Sequence, residues 1–144
     1  MIELHGYYLE DLQVGMAGHY GKTITEADIL LFSGVSGDTN PLHLNREFAA
    51  TTQFGECIAH GMLTASLIST VIGTRLPGPG CIYLSQTLKF LAPVRPGDTV
   101  MACATVEELM PERARARLRT TCVIGERLVL DGEALIKVPR KQTP

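Results

Sequence analysis

The sequence predicts an α+β domain in which an antiparallel sheet wraps around one central helix. Three observations carry this expectation. A strongly apolar run of helical length begins at Gly61. Four strand-like segments follow it with short breaks between them. The chain has 144 residues, enough to bury one core but not two, and one domain is expected over 1–144 with its core at about 14–138.

The first residues, to about residue 20, read as an irregular lead-in with Gly15 and Gly18 at turns, and residues 19–24 as a short strand. Thr25-Glu26-Ala27-Asp28 then marks a helix start. Thr25 can cap free backbone N–H groups, and the two acids suit the positive end of the helix. Ile29, Phe32 and Val35 follow at helical spacing before Ser36-Gly37-Asp38 stops the element. Asp38-Thr39-Asn40-Pro41 is turn chemistry, and a short helix is expected at Arg46–Ala50.

The run from Gly61 through Met62-Leu63-Thr64-Ala65 to Gly73 is apolar on most sides, as in a helix buried within a fold. Leu76-Pro77-Gly78-Pro79-Gly80 makes a sharp turn after it. Residues 81–91, 98–109, 113–124 and 127–138 read as strands, separated by Pro93–Gly97, Met110-Pro111-Glu112 and Ile124-Gly125-Glu126. The tail, Pro139–Pro144, is expected to fray.

Composition narrows the function classes. With 45% hydrophobic and 19% charged residues the chain reads as globular, and a net charge of −2 gives no reason to expect a nucleic-acid partner. No stretch approaches the roughly 20 apolar residues that span a bilayer, and no basic, then apolar, leader is visible, so no membrane association is expected. Cys57, Cys81, Cys103 and Cys122 are widely spaced without a CxxC or Cys/His cluster. They read as buried, reduced thiols of a cytoplasmic protein, and no metal site is expected.

The segment with chemical content is Phe32–Ala49. Its proline-stiffened bend presents Asp38, Asn40 and His43 within six residues. A carboxylate and an imidazole converging on one small volume make a general acid/base arrangement. Asp38 as an ordinary turn residue and His43 as a loop residue fit the same spacing, which by itself does not separate the two.

The run Gly37–His43 (GDTNPLH), followed by Phe48-Ala49, resembles the signature of the MaoC-like hydratases, the hydratase 2 group of (R)-specific enoyl-CoA hydratases with the hot-dog fold. Cys57–Met62, Leu76–Leu84 and Pro93–Asp98 resemble further segments of that family in collinear order, so the likeness spans about 14–138. The resemblance implies that Asp38 and His43 form the catalytic pair, with Asn40 in the supporting bend. It implies that the backbone N–H of Gly61 polarises the thioester carbonyl, and that Ser69 lies near the substrate. A glycine opening a helix suits that role on physical grounds, because free N–H groups and the dipole favour negative charge there. A packing glycine at a tight helix entry is the alternative. For Ser69, the alternative is a serine bonding within its own helix. His60 reads as structural, fixing the helix entry through a backbone hydrogen bond.

The implied reaction is reversible syn addition of water to a trans-2-enoyl-CoA, giving an (R)-3-hydroxyacyl-CoA. No cofactor is implied, since coenzyme A is part of the substrate, and the partners implied are an acyl-CoA thioester and a second copy in a homodimer. Storage-polyester (polyhydroxyalkanoate) synthesis, fatty-acid oxidation and a specialised acyl-CoA route all suit such a product. A dehydratase acting on acyl-carrier-protein thioesters is the nearest alternative, and a non-catalytic acyl-CoA-binding module is a further one. Arg113, Arg115, Arg117 and Arg119 alternate and should share one strand face, either contacting coenzyme A phosphates or forming a solvated outer surface. The glycines of Leu76–Gly80 follow a helix rather than precede one, and neither a phosphate-loop lysine nor a GxSxG motif occurs.

Overall fold

Alternation of small aliphatic residues builds the sheet. In the computed structural model, which describes residues 4–141, every second side chain of Val100–Val106 and of Ala116–Cys122 is buried. The strands are β1 (Ala17–Thr23), β2 (Ile82–Gln86), β3 (Lys89–Phe90), β4 (Thr99–Met110), β5 (Arg115–Ile124) and β6 (Arg127–Lys137). All described pairings are antiparallel, in the order β1-β4-β5-β6-β2, with β3 also on β6. The helices are α1 (Glu26–Ser36), α2 (Pro41–Leu44), α3 (Arg46–Ala50) and α4 (Gly61–Thr74).

Helix α4 lies against β1, β4 and β5, burying Leu63, Leu67, Ile68, Val71 and Ile72 among Val100, Ala102, Ala104, Ala116, Leu118 and Ile136. The small residues on β4 and β5 let the helix approach the sheet closely. This is the sheet-around-helix arrangement expected from the sequence. Helix α4 is more one-sided than its composition suggests, since Met62, Ser66 and Ser69 face outward.

The capping signal at Thr25 is realised in full. Its hydroxyl accepts the Asp28 N–H at 3.1 Å, and Asp28 accepts the Thr25 N–H at 2.9 Å. Gly37, at φ +78°, ends α1 in a left-handed conformation that favours glycine.

Four expectations need correction. The strand expected over 81–91 is split into β2 and β3, with a register shift between Tyr83 and Ser85. The Thr87 carbonyl sits where a side chain on Gly132 of β6 would lie, so the irregularity depends on that glycine. Arg113 belongs to a 3-10 turn, Pro111–Arg113, and only Arg115, Arg117 and Arg119 share a strand face. Of the cysteines, all free, Cys122 alone is fully buried. The tail is anchored at least to Lys141, whose N–H donates to Glu10 at 2.9 Å, while Leu9 N–H donates to Pro139 O at 2.9 Å. The rest of the tail, 142–144, lies outside the described residues.

Candidate active site

The bend after α1 is a ladder of short-range hydrogen bonds. Asp38 N–H donates to Ser36 Oγ (3.1 Å), Asn40 N–H to Asp38 Oδ1 (3.3 Å) and Leu42 N–H to Asn40 Oδ1 (3.0 Å). Asn40 is therefore the N-cap of α2, with Pro41 at the first helical position, where the missing N–H costs nothing. The one-turn helix that results swings His43 back toward Asp38. Sequence reasoning expected only a turn here.

His43 Nδ1 lies 2.7 Å from the carbonyl oxygen of Ile58. A carbonyl only accepts, so Nδ1 carries the hydrogen and Nε2 remains for other work. Asp38, His43 and His60 each offer an atom within 4.8 Å of the others. A shared metal ion fits this trio poorly. The two imidazoles are stacked, with centroids 3.8 Å apart and planes 26° apart, so their in-plane lone pairs do not converge.

These groups line a cavity of about 410 Å³ together with Gly61, Thr64, Phe54 and Phe90. The apolar walls and few polar groups suit an acyl chain with one reacting end. Gly61 opens α4, and its N–H has no acceptor within the helix. A side chain there would meet the Phe90 ring at 2.7 Å, so the close approach Gly61 permits includes that of Phe90.

The structure thus brings Asp38, His43 and Gly61 to one cavity, with Asn40 in the bend behind them. Ser69 stands apart from this cavity, exposed on the outer face of α4 and eight residues beyond Gly61. His60 makes the backbone bond expected of it, to the Asp38 carbonyl at 3.0 Å. Phe54, Thr64 and Phe90 went unnoticed in the sequence. Arg117 pairs with Glu107, Glu108 and Glu133, and Arg119 with Asp131, the solvated-face alternative for these arginines.

The sequence matches the model of the MaoC like domain over residues 13–126. The chain belongs to this family. A 3-hydroxybutyryl-CoA dehydratase of Methylorubrum extorquens is 56% identical over 140 residues, 97% of this chain and 89% of that one. An (R)-specific enoyl-CoA hydratase of Rhodospirillum rubrum is 53% identical over 135 residues, 94% of each chain. The unliganded R-hydratase PhaJ1 of Pseudomonas aeruginosa superposes with a TM-score of 0.89 at 44% identity, covering 98% of this chain and 96% of that one. The fold of this MaoC-like domain is accordingly the hot-dog fold of the R-hydratases.

Proposed function

We propose that this MaoC-like domain catalyses reversible (R)-specific hydration of trans-2-enoyl-CoA to (R)-3-hydroxyacyl-CoA. The observation that carries the proposal is one cavity walled by Asp38, His43 and the start of α4. Relatives at over half identity and near-full coverage bear names of this reaction or its reverse.

Asp38 and His43 act as one unit on a single water. They take its proton as the oxygen attacks C3, and a proton is delivered to C2 on the same face. Charge developing on the thioester oxygen is received by the Gly61 N–H, a contribution of about 2.7–4 kcal/mol where such donors have been removed in other enzymes. The substrate supplies the coenzyme A, and hydration involves no net oxidation or reduction, so no further cofactor enters.

The protein works as a cytoplasmic homodimer in this reading. Edge strand β2 exposes Ile82, Tyr83 and Leu84, an apolar edge that a second copy would cover. Four free cysteines suit a reducing compartment. Ser69 would then be a residue of the completed site, reached only when substrate and second copy meet on the outer face of α4.

The test is loss of enoyl-thioester absorbance on adding crotonyl-CoA, with chiral analysis of the product. The (R) alcohol is expected, and an (S) product overturns the reading. Faster turnover of the matching carrier-protein thioester would instead assign the domain to carrier-protein dehydration.

A further inference from the structure

We propose that His60 is a positioning residue, one buried imidazole that holds the Asp38 backbone, the His43 ring and the entry to α4 in mutual register. The proposal rests on the hydratase reading above. His60 is 2% exposed, and its Nε2 lies 3.0 Å from the Asp38 carbonyl oxygen and 3.1 Å from Ser33 Oγ. The carbonyl can only accept, so Nε2 carries the hydrogen and the tautomer is set. The same N–H is shared with Ser33 Oγ, itself buried, so it restrains the peptide that bears the Asp38 side chain and ties it to α1.

The ring also stacks on His43 at 3.8 Å, while Phe32 packs against it at 4.8 Å and a 57° tilt. His43 is thereby held twice, by its Ile58 bond and by the stack. Finally, His60 is the N-cap of α4 yet makes no side-chain cap. Its polar atom is turned to the bend, and the N–H groups of Gly61 and Met62 are left to a ligand, while those of Leu63 and Thr64 donate to the His60 carbonyl.

A cost marks the arrangement as more than packing. His60 Nδ1 is buried with no hydrogen-bond partner among the described residues. An apolar side chain of similar volume would avoid that penalty, but it would leave the buried Ser33 hydroxyl and the Asp38 carbonyl without this partner. The residue therefore carries a strain on stability that its hold on the acid/base pair accounts for.

Kinetics of the full chain with crotonyl-CoA test this, comparing wild type with His60→Leu, His60→Gln and His60→Asn. Gln presents its amide donor near the position of Nε2, Asn near that of Nδ1, and Leu presents none. His60→Leu is expected to lower kcat by about 100-fold with KM nearly unchanged, the signature of misplaced groups rather than lost binding. Its thermal midpoint should change little, since relief of the unpaired Nδ1 opposes the loss of the Nε2 bonds to Asp38 and Ser33. Gln should recover about tenfold in kcat over Asn, a comparison that stands even if His60→Leu does not fold. Wild-type kcat in His60→Leu, or equal kcat in Gln and Asn, overturns the assignment. Ring-nitrogen NMR reads the same claim without turnover: Nε2 of His60 should be protonated and Nδ1 bare, and the reverse tautomer overturns it. An inactive wild type would overturn the hydratase reading instead, leaving that spectrum to judge His60.

Discussion

The sheet with α4 and the segment from α1 to His60 are held together in different ways. In the first, buried aliphatic side chains from three strands, β4, β5 and β6, enclose one face of a helix. In the second, α1 buries only Ile29 and Ser33, α2 buries nothing, and α3 buries only Ala49. Polar contacts take over there: a capping box, three side-chain turns and two imidazoles bonded to carbonyls. Apolar burial is strong and undirected, while hydrogen bonds are weak in net energy and specific in geometry. The molecule therefore draws stability from one region and chemical precision from the other, and substitutions should separate the two.

The largest effect is expected at the bend. Asp38→Asn and His43→Gln should each lower kcat for crotonyl-CoA hydration by about 10²–10⁴-fold, the range for positioned acid/base groups. Their thermal midpoints should stay near wild type, because Asp38 is exposed and His43 only half-buried. Robust turnover in both variants would remove the pair from the mechanism. The converse experiment lies in the sheet. Leu118→Ala empties a fully buried position against α4 and should cost about 2–5 kcal/mol in urea unfolding. Turnover per folded molecule should survive, and a parallel loss of kcat would show that the two regions are not separable.

Gly61 stands on the boundary between them. Gly61→Ala keeps the N–H but drives a methyl into the Phe90 ring. Overpacking of this kind costs about 1–3 kcal/mol, and Phe90→Ala in the same chain should restore most of it. A stable Gly61→Ala protein with normal kcat would mean that Phe90 turns aside freely.

What could be read in advance follows the same division. The helix starts at Thr25 and Gly61 and the bounds of α3 were legible because caps and turns are written in adjacent residues. The strands were legible to within a few positions because alternation is a local pattern. The break between β2 and β3 was not, since it depends on Gly132, some 45 residues later in the chain. In the site, Asp38, Asn40 and His43 share one bend and could be picked out together. Phe54, Thr64 and Phe90 reach the cavity from separate elements, and no short-range pattern marks them. The stack of His60 on His43 depends on where α4 enters beneath the bend, which spacing alone does not give.

The smallest effect is expected at the start of α1, where the bend's own support can be titrated. The Thr25 N–H, ahead of the Thr25 hydroxyl and Lys22, holds the Asp28 carboxyl below its ordinary value of 3.8, against a smaller opposing effect of burial. A carboxyl with a lowered folded value adds stability that is complete above the unfolded value. That stability is lost as the pH falls through the folded one, because the unfolded chain then binds the proton more readily. Thr25→Ala should cost about 1 kcal/mol at neutral pH by removing the cap acceptor. Asp28→Asn should flatten the decline in urea midpoint as the pH falls through and below 3.8, relative to wild type. If both proteins decline in parallel, the acid sensitivity arises elsewhere and the capping box is only a neutral hydrogen-bond pair. If the slopes differ while kcat at neutral pH stays near wild type in both variants, α1 supports the bend by its packing and Ser33, and its first turn contributes stability alone.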